Sequence, residues 1–144
     1  MLIKLITSLL IAFFSFNFFL HLYWAFGGQW AVKNVLPEWE GKRLIEMWPI
    51  PTIIVAFGFL LPLALILQYD GLIQLNIEKS LIEKGFWLFF LVFMLRAIGD
   101  FRVCGLFKKE LTTNFGKWDQ KLFTPICIVI SFMFFILIFD LKTI

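Results

Sequence analysis

The stretch Gly85–Arg102, GFWLFFLVFMLRAIGDFR, decides how this chain is read. Its uncharged part, Gly85–Leu95, covers only about 11 residues, whereas a helix crossing a hydrocarbon core of about 30 Å needs about 20. Arg96, Asp100 and Arg102 follow, set among Ala97, Ile98, Phe101, Val103, Leu106 and Phe107. Two readings compete. The stretch is re-entrant or interfacial, or it is a full span over 85–106 that carries charge beneath the headgroups. Its neighbours favour the second. Leu5–Phe26 holds no side chain charged at neutral pH, and predicts a span over 3–26. Ile50–Leu67, with Pro51 suited to a first turn and Pro62 expected to kink the helix, predicts 50–68. Leu122–Phe139, with Pro125 near its start, predicts 122–140. Three clean spans joined by short loops are most simply completed by a fourth. The expected fold is all-α: one transmembrane domain over 1–144 in which four helices form an antiparallel bundle. Arg96 then lies about 15 Å from the first apolar residue of its helix.

Composition agrees. Hydrophobic residues make up 61%, aromatics 19% and charged residues 16%, with 20 Phe. A soluble domain is about 45–50% apolar and about 25% charged, and a disordered chain is polar. Both are excluded. The net charge of +3 (13 Lys+Arg against 10 Asp+Glu) comes with no basic face free of apolar surface, so no nucleic-acid partner is expected. One His and two widely spaced cysteines, Cys104 and Cys127, cannot assemble a zinc site of four Cys/His ligands within one subunit. No metal or cofactor is expected, and the cysteines read as unpaired thiols. Leu5–Phe26 outruns the 7–15 residues typical of a secretory core, and no small-x-small site follows, so it reads as a retained anchor. Gly27, Gly28, Pro37 and Pro49 mark 27–49 as a structured turn. Residues 68–84 suggest a short interfacial helix, and 108–121 are basic and polar.

With four spans, Lys4, Lys79, Lys84 and Lys142 share one side. Lys33, Lys42, Arg43, Arg102, Lys108, Lys109, Lys117 and Lys121 share the other. The excess makes the second side cytoplasmic and leaves both termini outside.

Helix one places Thr7, Phe14, Asn17, His21, Trp24 and Gly28 on one face, by steps of three, four and seven. Asn17 and His21 facing lipid are costly, so this face is expected to turn inward. There the two serve as hydrogen-bonding glue between helices, or His21 acts as a proton donor or acceptor. Helices one and three run parallel. His21 lies about 24 Å along its helix and Asp100 about 21 Å along its own, which puts them at similar depth. Arg96 and Asp100, four residues apart, share a face. A buried carboxylate near a helix C-terminus needs a partner, and Arg96, Arg102 and His21 are the candidates. A structural ion pair is the alternative to a functional one. Trp24, Trp30, Trp39, Trp48 and Tyr23 read as an interfacial belt. Lys117, Trp118 and Lys121, with Lys108 and Lys109, suit a solvated loop or one resting on anionic headgroups.

The run His21-Leu22-Tyr23-Trp24-Ala25-Phe26-Gly27-Gly28, then Arg96-Ala97-Ile98-Gly99-Asp100-Phe101-Arg102 and Gly105-Leu106-Phe107-Lys108, resembles the bacterial family labelled domain of unknown function 3995. Thr113, Phe115, Asp119, Pro125 and Cys127 follow in a similar order. Phe123 stands where the family pattern has Tyr, and Cys104 where it has an aliphatic residue. The resemblance implies a small four-helix integral membrane protein, placed in the bacterial inner membrane, with no assigned activity.

Three functions fit these residues. The favoured one is a polar intramembrane pocket near the cytoplasmic face, lined by Asn17, His21, Arg96, Asp100 and Arg102 with Trp24 as an aromatic wall, that takes a membrane lipid or isoprenoid. The second is an isomerase-like enzyme using His21 and Asp100 as an acid–base pair on a lipid. The third is an accessory subunit packed against a larger membrane protein, or a homo-oligomer. A channel is disfavoured because helices two and four offer almost no polar lining.

Overall fold

The computed structural model describes residues 1–39, 42–44 and 48–143, with Arg43 described by its backbone alone. The side chain of Arg43, one of the basic residues counted above, and Ile144, the end of the expected domain, lie outside the described residues. Among the described residues the regular structure is helical apart from one short antiparallel strand pair. Helix α1 spans Leu2–Ala25 and is followed by the single turn α2, Val32–Val35. A two-stranded pair, β1 (Glu38–Trp39) and β2 (Lys42–Arg43), leads to α3, Pro49–Gly58, and α4, Leu60–Tyr69. Helix α5 covers Lys79–Ile98, and α6, Asn114–Trp118, runs through a π turn at Asp119–Phe123 into α7, Thr124–Thr143.

Prolines explain both irregularities. Pro62 has no N–H to give to the carbonyl four residues back, that of Gly58, and its ring crowds that carbonyl. The helix therefore breaks between Gly58 and Leu60. Pro125 likewise cannot bond the Lys121 carbonyl. The backbone there widens, the Thr124 N–H reaching the Asp119 carbonyl five residues back.

Among the described residues three helical units are long and apolar enough to cross a membrane: Leu2–Ala25, Pro49–Tyr69 and Asn114–Thr143. Helix α5 differs from the expectation at both ends. It starts at Lys79, so its first turns take up the polar half of the segment read as an interfacial helix, and it stops at Ile98 instead of running to 106. Gly99 stops it. Its φ of +89° with ψ of −172° is a backbone conformation open essentially to glycine alone, and it turns the chain off the helix axis. Asp100 is thus in a loop, not on the helix.

The main core lies where α1, α4, α5 and α7 meet. Leu10, Phe14, Ile66, Phe86, Phe134, Leu137 and Ile138 are fully buried there. Phe134 is its centre, with ring centroids 5.9 Å from Phe14, 5.6 Å from Phe86 and 6.4 Å from Phe93. The Ser131 hydroxyl donates to the Phe90 carbonyl at 3.1 Å, tying α7 to α5. Polar contacts fasten both ends of the molecule. At one end Lys4 pairs with Asp70 at 3.0 Å, Lys142 with Glu83 at 3.2 Å, and the Tyr69 hydroxyl donates to Asp140. At the other, α2 packs on α6, and Arg96 pairs with Asp119 at 2.6 Å.

Candidate functional site

Arg96 occupies the last turn of α5. An ionised guanidinium in an apolar setting demands a carboxylate, and Asp100 was the expected acceptor. The partner is Asp119. Its carboxylate is fully buried (0% exposed) and takes hydrogen bonds from four groups. One oxygen accepts from Arg96 Nη2 at 2.6 Å. The other accepts from the Gly105 N–H at 2.9 Å, Lys108 Nζ at 3.0 Å and the Thr124 hydroxyl at 3.0 Å. The Lys108 side chain is itself only 3% exposed and also donates to the Gly105 carbonyl at 3.1 Å. One carboxylate thus joins the end of α5, the loop after it and the start of α7. The π turn has a direct part in this: it sets the Asp119 carboxylate within reach of the Thr124 hydroxyl in the same stretch of helix.

The cluster holds two cations against one anion. Arg96 supplies the surplus, since its Nη1 is buried without a hydrogen-bond partner among the described residues. An unpaired buried donor of this kind costs about 1–3 kcal/mol. Arg96 also borders an open cleft of about 360 Å³, walled by Val35, Pro37 and Leu44 from the first loop and by Asp100, Val103, Cys104 and Phe115. Apolar walls beside a charged group with an unsatisfied donor suit an anionic head joined to a greasy body.

Asp100 has a different job from the one expected. Its Oδ1 accepts from the backbone N–H groups of Arg102, Val103 and Cys104 at 2.9, 2.9 and 3.0 Å. It pins the turn that follows Gly99. Burial alone would raise this carboxyl, but the three N–H donors outweigh it and hold Asp100 below the ordinary carboxylate range. The sign for stability follows. The turn gains the full contribution of Asp100 above the unfolded-state value and loses it as pH falls through the lower folded-state value. Protection of the Val103 and Cys104 amides, taken relative to their intrinsic exchange rates at each pH, is therefore expected to fall on acidification. In Asp100→Asn, which has no such ionisation, that acid-side loss of protection should vanish. Equal loss in both proteins would count against this role.

The remaining expected site residues do not line the cleft. Asn17 Nδ2 donates to the Phe13 carbonyl at 2.9 Å, and His21 Nδ1 to the Asn17 carbonyl at 2.8 Å, both within α1. The His21 ring packs 5.0 Å from those of Trp24 and Phe59. Trp24 is buried with Val32 and Leu36, and its indole N–H donates to the Trp30 carbonyl at 2.8 Å. The Arg102 side chain is exposed, while its carbonyl accepts from the N–H groups of Lys109 and Glu110. Among the described residues no hydrogen bond joins His21 to Asp100, and Asp100 borders the cleft without His21.

Residue-level reading missed Asp119 as the partner of Arg96, and Lys108 as a buried cation. One signal was available. Between Arg96 and the last apolar helix the only carboxylates are Asp100, Glu110 and Asp119, and of these only Asp119 adjoins that last helix.

The comparisons with known proteins bear on this arrangement through one match. No curated protein and no solved structure matches the chain. A family model does, and the matched segment contains all of Arg96, Gly105, Lys108, Asp119 and Thr124. The chain belongs to the family described as "Protein of unknown function (DUF3995)", whose model matches residues 14–134.

Proposed function

We propose that this chain is a multi-pass cell-membrane protein whose four helical units cross in antiparallel order, and that the Arg96 cleft at its cytoplasmic end binds the anionic headgroup of a lipid or isoprenoid amphiphile. The observation that carries the reading is Arg96: Nη2 is committed to Asp119, while Nη1 has no partner and the cluster carries one positive charge more than it needs. A second acceptor brought to Nη1 from the cleft that Arg96 borders would complete a fork contact. Val35, Leu44, Val103 and Phe115 supply apolar walls for the carbons next to that headgroup. Helix α5 has 20 residues, about 30 Å of rise, which suffices for a crossing. Its charged residues fall in its first turns (Lys79, Glu83, Lys84) and its last (Arg96), where long side chains reach the interface. The described basic residues Lys33, Lys42, Arg102, Lys109, Lys117 and Lys121, gathered in the loops of the cleft end, support placing that end in the cytoplasm.

Lipid carried by the purified protein, read by native mass spectrometry, tests the binding. Wild type is expected to retain an anionic amphiphile. Arg96→Lys keeps a charge for Asp119 but loses the fork, and is expected to bind about tenfold more weakly, equivalent to about 1.4 kcal/mol. Val35→Trp, which narrows the cleft without touching Asp119, should also lower occupancy. Equal occupancy of the same lipid in all three proteins would end the proposal.

A further inference from the structure

The loop 99–110 has its polarity turned inside out. Lys108 is buried in the Asp119 cluster, while its neighbours Leu106 and Phe107 are 59% and 61% exposed, and Phe101 is 56% exposed. A loop bathed in water would favour the reverse arrangement, with lysine outside and phenylalanine inside. The loop is not loose. The Leu106 N–H donates to the Ala97 carbonyl at 2.8 Å, and the N–H groups of Lys109 and Glu110 donate to the Arg102 carbonyl at 3.0 and 2.9 Å. Phe101 holds a φ of +62°, a conformation costly for any residue with a Cβ. Its ring stacks on Phe107 with centroids 6.1 Å apart. The backbone is thus fixed in a strained form that displays two stacked rings outward. Exposed Arg102 and Lys109 flank them.

We propose that this Phe101–Phe107 knob is a wedge seated in the cytoplasmic leaflet, its rings and Leu106 among the upper acyl carbons and Arg102 and Lys109 on anionic headgroups. Charge complementarity favours that occupant: basic residues ringing an apolar tip match the layered chemistry of an anionic leaflet. The position agrees, because the knob directly follows α5, whose Leu88, Leu91 and Leu95 are exposed. The wedge rests on the reading of the chain as membrane-crossing, and is independent of any ligand in the cleft.

Nitroxide labels test it in nanodiscs containing phosphatidylglycerol, on a background of Cys104→Ser and Cys127→Ser. Leu106→Cys and Phe107→Cys carry the labels at the knob. Leu91→Cys reports on the crossing of α5, and Thr112→Cys on the exposed part of the same connection. The wedge requires that collisions with oxygen, relative to a water-soluble nickel chelate, be severalfold higher at 106 and 107 than at 112, and lower than at the deeper position 91. Values at 106 and 107 equal to that at 112, with 91 still lipidic, would overturn the wedge and leave the crossing intact. A label at 91 that meets the chelate freely would overturn both. Shielding of 106 and 107 from both reagents would mean that a protein surface covers the knob, and would also overturn it.

Discussion

Asp119→Ala is expected to lower stability by about 3–5 kcal/mol, the usual consequence of removing one member of a buried ionic network. Four donors lose their acceptor at once: Arg96, Lys108, Thr124 and the Gly105 N–H. The two cations are then left facing each other in a site from which the carboxylate was fully buried. Asp119→Asn offers no escape, because its amide nitrogen would present hydrogens to one of those cations. Replacing the whole cluster is another matter. With Arg96→Met, Lys108→Met and Asp119→Leu together no charge is stranded, and such exchanges are often neutral or stabilising. The triple variant is therefore expected to fold better than Asp119→Ala, while carrying no anionic lipid. Unfolding by graded denaturant in a fixed detergent gives the comparison. A loss below about 1 kcal/mol for Asp119→Ala, the range of a solvent-screened surface pair, would show that the cluster is not the tie described here.

Gly105→Ala should be nearly as damaging, for a reason that has nothing to do with charge. Gly99 and Gly105 lie against one another where the loop crosses its own start. A Cβ on Gly105 would fall on the Gly99 backbone and the Ile98 carbonyl, and one on Gly99 would fall on the Cys104 carbonyl. Both glycines also hold φ near +90° (+89° and +90°). Gly27 is the control. Its φ is likewise +90°, but no atom lies near its missing Cβ. Gly27→Ala therefore meets only the conformational penalty, about 1–2 kcal/mol. Gly105→Ala adds a backbone collision that nothing flexible can relieve, and it displaces the N–H and carbonyl that serve Asp119 and Lys108. A loss of several kcal/mol is expected, on the scale of other broken buried networks. Hydrogen exchange reads the same event locally: protection of the Leu106 amide, which donates to the Ala97 carbonyl, should vanish in Gly105→Ala and survive in Gly27→Ala. Similar losses in the two variants would show that the crossing has no special tightness.

These two predictions concern contacts of a kind that sequence reading could not reach. Long apolar runs were legible because a lipid-facing helix must be apolar nearly all round, so α1 and the proline-bearing runs of α3–α4 and α7 announced themselves. The end of α5 was legible in principle, since Gly99 follows the apolar run where a chain that must leave the helix favours glycine. Reading the helix on to 106 carried Asp100 onto a face with Arg96 and produced the wrong ion pair. Asp119 was harder. Its partnership with Arg96 spans 23 positions and depends on the Gly99–Gly105 crossing and on the π turn ahead of Pro125, neither of which leaves a periodic trace. Asn17 and His21 were read as facing inward, but each spends its hydrogen bond on its own helix. Helical spacing establishes which residues share a face. It does not say which of them has a partner there.

The most direct test of the account is sidedness. Lys33→Cys, Lys109→Cys and Lys79→Cys, each on a background of Cys104→Ser and Cys127→Ser, are exposed to a membrane-impermeant maleimide on intact cells expressing the chain. A cleft at the cytoplasmic end requires both basic loops to face inward and the α4–α5 connection to face outward, so that position 79 is labelled at once and 33 and 109 only after the membrane is permeabilised. Labelling of 33 and 109 from opposite sides would contradict it, because no membrane-crossing arrangement could then bring Arg96, the first loop and Asp119 to one cleft.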